Sequence, residues 1–214
     1  MPPYAATACA CSRSSTRCCA KSPTSRISPA ESRATLATMK LIILGRDGVL
    51  NEPVDGGVRR PADWRPLPGS LEAVARLNQS GVRVCVVTHQ PQLGSGDMTH
   101  DELFAIHQRM QEAVGQFAGR FDAIAFNPHA DAEDRQAGKS ALIADIARRM
   151  QIDAQTIPVV GDEWSDVEAA RTAGAQPVLV RTGHGAATEE AHRDTLQSVD
   201  VFDGLPALVQ ARLG

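Results

Sequence analysis

Residues 41–44, Leu-Ile-Ile-Leu, form an unbroken apolar run that stops abruptly at Gly45-Arg46-Asp47-Gly48. A run this short, bounded by a polar turn, is the pattern of a strand buried on both faces, and such strands belong to parallel sheets covered by helices on either side. The turn places a carboxylate, Asp47, at the carboxyl end of that strand, where open α/β sheets gather their chemistry. A buried parallel strand also demands crossover connections, so the rest of the chain has to alternate strand and helix.

It does so from residue 39 onward. Period-2 or apolar runs predict strands over 82–87, 123–126, 156–160, 176–180 and 199–202. Helical spacing predicts helices beginning at Ser70 as N-cap, at Thr99 or Asp101, after a polar loop over 127–138, at 165–173 and at 204–213. Residues 53–69 are rich in Pro and Gly and too irregular for either element. The expectation is a three-layer α/β sandwich with a mostly parallel sheet, helices on both faces and no large cap domain.

Composition separates this unit from what precedes it. Residues 1–38 carry five basic side chains against Glu31 alone, a net of +4, so the remaining residues carry −7 of the overall −3. Four of the five cysteines (Cys9, Cys11, Cys18, Cys19) also lie before residue 38, leaving Cys85 alone in the body. A body with one thiol forms no internal disulfide, which suits a reducing cytoplasm. The first 38 residues lack periodicity and a secretory apolar core. They are expected to be a disordered extension, with 39–214 as the domain; Met39 stands immediately before the first strand. No apolar run approaches the ~20 residues of a membrane helix.

Three polar loops fall at strand carboxyl ends: Asp47-Gly48-Val49-Leu50-Asn51, Thr88-His89-Gln90, and Gly161-Asp162-Glu163-Trp164-Ser165-Asp166. In this order they resemble motifs I, II and IV of the haloacid dehalogenase (HAD) phosphatases. The run 66–78, Asn127-Pro128-His129, residues 146–149 and residues 178–183 are similar, more narrowly, to the D-glycero-D-manno-heptose 1,7-bisphosphate 7-phosphatases. Those enzymes remove one phosphate from a sugar bisphosphate and are related to histidinol-phosphatase. The resemblance is collinear over about 39–185.

It implies a site in which Asp47 is the acid/base, Thr88, His89, Gln90, Arg135 and Lys139 face phosphate, and Asp162, Asp166 and the Asp47 carbonyl hold Mg²⁺. It also exposes departures. The first motif I aspartate, which attacks phosphorus to form an aspartyl-phosphate, is Gly45 here. The motif III lysine falls on Gln136, and the arginine of the motif II loop on Ser95. The family's structural zinc wants four N or S ligands, but the matching positions are Asn127, His129, Ala132 and Asp134, so zinc is expected to be absent. Gly138-Lys139-Ser140 echoes a P-loop end but lacks its first glycine, and reads as a loop with Ser140 capping a helix. His89 as a substitute nucleophile reads as a polar neighbour of Thr88.

Two functions remain open. One is a member whose phosphatase activity is lost or strongly impaired and which binds a phosphorylated sugar or a protein. The other is a working Mg²⁺-dependent hydrolase in which Asp47 activates water directly. In both the chain is expected to be a cytoplasmic monomer with weak Mg²⁺ binding and no nucleic-acid or membrane partner.

Overall fold

The computed structural model describes residues 39–129 and 132–214, with the side chains of 132–135 also outside the description. The expected extension over 1–38 lies outside the described residues.

Six strands form one sheet: β1 (Leu41–Leu44), β2 (Arg83–His89), β3 (Ala123–Asn127), β4 (Pro158–Gly161), β5 (Gln176–Val180) and β6 (Asp200–Phe202), in the order β3-β2-β1-β4-β5-β6 with every pairing parallel. The chain runs outward from β1 through β2 to β3, then returns to β1's other side and runs outward again. The carboxyl ends of β1 and β4 therefore flank the point where strand order reverses, which is where such sheets open a crevice.

All four β1 residues are buried because each face of the strand meets its own core. Ile42 and Leu44 join Val84 and Val86 under α1 (Ser70–Gln79), α3 (His100–Gly115) and α7 (Leu205–Leu213). Leu41 and Ile43 join Cys85, Val87 and Val159 on the opposite face, under α4 (Ala132–Met150) and α5 (Trp164–Thr172). Two short helices, α2 (Pro91–Ser95) and α6 (Gly185–Ala191), follow β2 and β5. This is the expected three-layer sandwich. None of the helices among the described residues is long and apolar enough to cross a membrane.

Of three local expectations, two are corrected. Ser70 is the first helical residue, not the cap; its hydroxyl donates to the Leu50 carbonyl (2.8 Å) and ties α1 to the turn after β1. Thr99 does cap α3, in a reciprocal box with Glu102. The polar loop expected up to Gly138 is helical from Ala132, so Ser140 lies inside α4, its hydroxyl bonded to the Ala137 carbonyl at 3.0 Å. Gly138 is not a helix breaker there. A Cβ on it would come within 2.1 Å of the Asn127 side chain, so the glycine lets α4 lie close against the end of β3.

Candidate active site

The turn after β1 is built to present Asp47. Backbone bonds from Leu50 and Asn51 to the Arg46 carbonyl close it, and Gly48 sits at φ +72° with its Cα so close to Asp162 that a Cβ would overlap that carboxylate. Asp47 is gripped from two sides. The Arg46 guanidinium donates to Oδ2 through Nε (3.2 Å) and Nη2 (2.8 Å), and Asn51 Nδ2 donates to Oδ1 at 2.9 Å. Asn51 is itself oriented by the Trp64 indole N–H at 3.1 Å. Arg46 is 1% exposed, and its Nη1 has no partner.

Asp47 opens onto a cleft of about 350 Å³ lined also by Gly45, Thr88, His89, Lys139, Asp162, Asp166 and His184. Of the phosphate-facing residues expected, Thr88, His89 and Lys139 therefore reach the cleft together. Gln90 does not. It is buried behind Thr88, donating through Nε2 to the Thr88 hydroxyl (2.9 Å) and to the His89 carbonyl (2.7 Å). With Gln90 as its donor, the Thr88 hydroxyl keeps its own proton for an oxygen in the cleft. The Arg135 side chain lies outside the described residues.

Lys139 is buried and its ammonium stands 2.5 Å from Asp166 Oδ1; the other Asp166 oxygen accepts the Glu163 N–H at 3.3 Å as part of the cap of α5. Asp162, at the end of β4, accepts the His184 N–H on Oδ2 at 2.9 Å. Burial, opposed in part by that bond and reinforced by Asp166 and Glu163, pushes the Asp162 carboxyl up to about 6. His184 and Arg46 escaped the sequence reading. Arg46 fills the variable position between the two motif I sites, and His184 directly follows the Arg181-Thr182-Gly183 turn.

Among the described residues, no side chain takes the place of a carboxylate at Gly45. Its φ lies outside the left-handed region, and the nearest atoms a Cβ would meet are Val49 Cγ2 at 3.1 Å, the Val160 carbonyl at 3.4 Å and the Gly161 Cα at 3.9 Å, so a side chain fits there once the valine methyl gives by a few tenths of an ångström. The remaining donors fit a divalent cation poorly as arranged. Both Asp166 oxygens and one Asp162 oxygen already accept from N–H groups, and no cluster of three or more His, Cys, Asp or Glu suited to a metal exists among the described residues. At the expected zinc positions, Asn127 Oδ1 accepts the His129 N–H at 3.1 Å; Ala132 and Asp134 have side chains outside the description.

His107, on α3, bears on the pH response. It is buried, its Nε2 has no partner, and burial together with the charge of Arg46 pushes it down to about 4. The unfolded chain binds a proton below about 6.5 that the folded chain refuses until about 4. Stability is therefore lost as pH falls through that window, by about 2–3 kcal/mol at pH ~4.5. Urea unfolding of His107→Leu should show a fall in stability between pH ~7 and ~4.5 that is smaller by that amount; equal falls in variant and wild type would remove His107 from the account.

The HAD-hydrolase-like family model matches residues 136–208. The chain is 43% identical over 152 residues to the D-glycero-beta-D-manno-heptose-1,7-bisphosphate 7-phosphatase of Bordetella bronchiseptica, covering 70% of this chain and 85% of that one. It is 37% identical over 174 residues to the Pseudomonas putida protein of the same name, covering 80% and 98%. Among solved structures, D,D-heptose 1,7-bisphosphate phosphatase from B. bronchiseptica, complexed with magnesium and phosphate, superposes with a TM-score of 0.77 at 40% identity, over 82% of this chain and 98% of that one. The Burkholderia thailandensis enzyme gives 0.65 at 38%, over 82% and 99%. With this sheet, this cleft and these relatives, the chain belongs to the D-glycero-beta-D-manno-heptose-1,7-bisphosphate 7-phosphatase family of HAD-like proteins.

Proposed function

We propose that this family member binds a phosphorylated sugar in the cleft beside Asp47 and Thr88 but does not hydrolyse it at an enzymatic rate. One observation carries the reading. Residue 45 directly follows β1 and lines the cleft, its backbone conformation is one that any residue can adopt, and it is glycine. Covalent phosphoryl transfer needs an attacking oxygen at that point. Heptose phosphates are the ligand class suggested by the relatives' names, and a monomer in a reducing cytoplasm suits a domain whose one thiol, Cys85, is buried.

The competing reading makes Asp47 the activator of a hydrolytic water. Against it stands the grip on that carboxylate by Arg46 and Asn51, which turns both oxygens toward protein donors. Phosphate release from heptose bisphosphate and from p-nitrophenyl phosphate with Mg²⁺, measured for wild type beside Asp47→Asn, separates the two. Background rates in both proteins are expected. Turnover that the substitution abolishes in a still-folded protein would establish direct water activation instead.

Mg²⁺ itself should bind weakly. Among the described residues, of the carboxylate oxygens of Asp162 and Asp166 only Asp162 Oδ1 carries no protein donor, and Gly45 supplies none, whereas Mg²⁺ holds on through one or two free carboxylates plus phosphate and water. Calorimetric titration should give a dissociation constant of about a millimolar or weaker; micromolar affinity would contradict this.

A further inference from the structure

A phosphate monoester brings negative charge into a cleft already lined by Asp47, Asp162, Glu163 and Asp166, and something must offset it. Among the described residues, the arginine and lysine that line the cleft are Arg46 and Lys139. Arg46 is 1% exposed and spends two of its N–H groups on Asp47, so it neutralises that carboxylate from behind. Lys139 differs. It is buried, and it lines both the cleft and a gap of about 10 Å³ that Gly45, Asp166 and Val160 also line, so the residue stands beside the place where the missing carboxylate would have been. A lysine is rarely buried this deeply unless paired, and Lys139 pairs with Asp166 at 2.5 Å.

Lys139 lies three residues beyond Gln136, the position where the resemblance to the family places a lysine. Residues three apart on a helix share a face, and α4 is already helical at 136. Moving the lysine from 136 to 139 moves it one turn along the face turned toward the cleft.

Resting on the reading above, we infer that Lys139 is the resident cation of this site: its ammonium occupies Asp166 in place of a divalent metal ion and supplies the positive charge that a phosphate monoester needs. Phosphate binding is then independent of metal, and Mg²⁺ and Lys139 compete for the same carboxylate. Thr88, with its proton free to donate, and Lys139 contact the anion together.

The test is calorimetric titration of inorganic phosphate and of a hexose 6-phosphate into the full chain, in EDTA and in excess Mg²⁺. Affinities in the two media should agree within about threefold. Lys139→Met should weaken phosphate binding in EDTA by at least about tenfold and tighten Mg²⁺ binding by a similar factor, because Asp166 is released. Lys139→Arg should keep metal-free phosphate binding. Phosphate binding by wild type that requires Mg²⁺ would overturn the inference while leaving the proposed function standing; absence of phosphate binding in both media would overturn both. Unchanged Mg²⁺ affinity in a Lys139→Met protein whose circular dichroism matches wild type would also overturn it. Should that variant fail to fold, the comparison of media on wild type decides.

Discussion

Purified wild-type protein should release phosphate from phosphomonoesters at a rate about five to six orders of magnitude below that of an active family member, and Gly45→Asp should recover only part of the difference. The first figure follows from deleting a covalent nucleophile: subtilisin lost ~2 × 10⁶ in kcat without its serine. At Gly45 the loss is of the attacking atom itself, with no lesser version of the interaction left behind. The substitution clears the backbone, since a Cβ would stand 3.4 Å from the Val160 carbonyl, but it requires the Val49 methyl at 3.1 Å to give by a few tenths of an ångström. An aspartate there would face Lys139, which would then have two carboxylates to serve. It would not restore what else has changed. Ser95 bonds Asp97 at 2.8 Å, outside the cleft lining, where the family has an arginine, and the Asp166 oxygens remain engaged. Gly45→Asp should therefore rise clearly above wild type yet stay more than about tenfold short of an active relative. Recovery within tenfold would show that Gly45 alone accounts for the inactivity, and brisk wild-type turnover would end the proposed function altogether.

Much of this architecture could be read from residue pattern because the fold depends on large, repeated burial. β1 is apolar at all four positions and needed no context, and the glycine and two carboxylates after β4 announced a site because they follow another buried strand. The errors arose where one residue has more than one physical use. Gly138 reads as punctuation, yet it sits within α4 to let Asn127 pass. Ser70 reads as a cap, yet its hydroxyl is spent on the Leu50 carbonyl. Gln90 belongs to a motif that faces phosphate, yet it turns inward, which nothing in the alternation of β2 would signal. α6, Gly-Ala-Ala-Thr-Glu-Glu-Ala, has no apolar stripe and so left no periodicity to detect.

Arg46 is the deepest case of the same ambiguity, because an arginine in a polar turn reads as a solvated side chain. It is instead among the largest fully buried side chains of the protein. A guanidinium removed from water is tolerable only when paired, and Arg46 pairs with Asp47. Asp47→Ala should accordingly destabilise the fold by about 3 kcal/mol, toward the lower end of what breaking a buried pair costs, because Asp47 is about a third exposed and water in its place could hydrate part of the charge. Asp47→Asn keeps an acceptor for Arg46 and Asn51 but loses the charge, and should fall between wild type and alanine. The origin of the loss can be isolated by adding Arg46→Met to Asp47→Ala. Removing the orphaned cation should return most of the stability, since a buried ion pair is often replaced by apolar groups without penalty. Urea unfolding of the two single variants and the double decides the matter. A loss below about 1 kcal/mol for Asp47→Ala, or a double variant less stable than the single, would mean that Arg46 finds other compensation and that Asp47 owes its orientation to the turn alone.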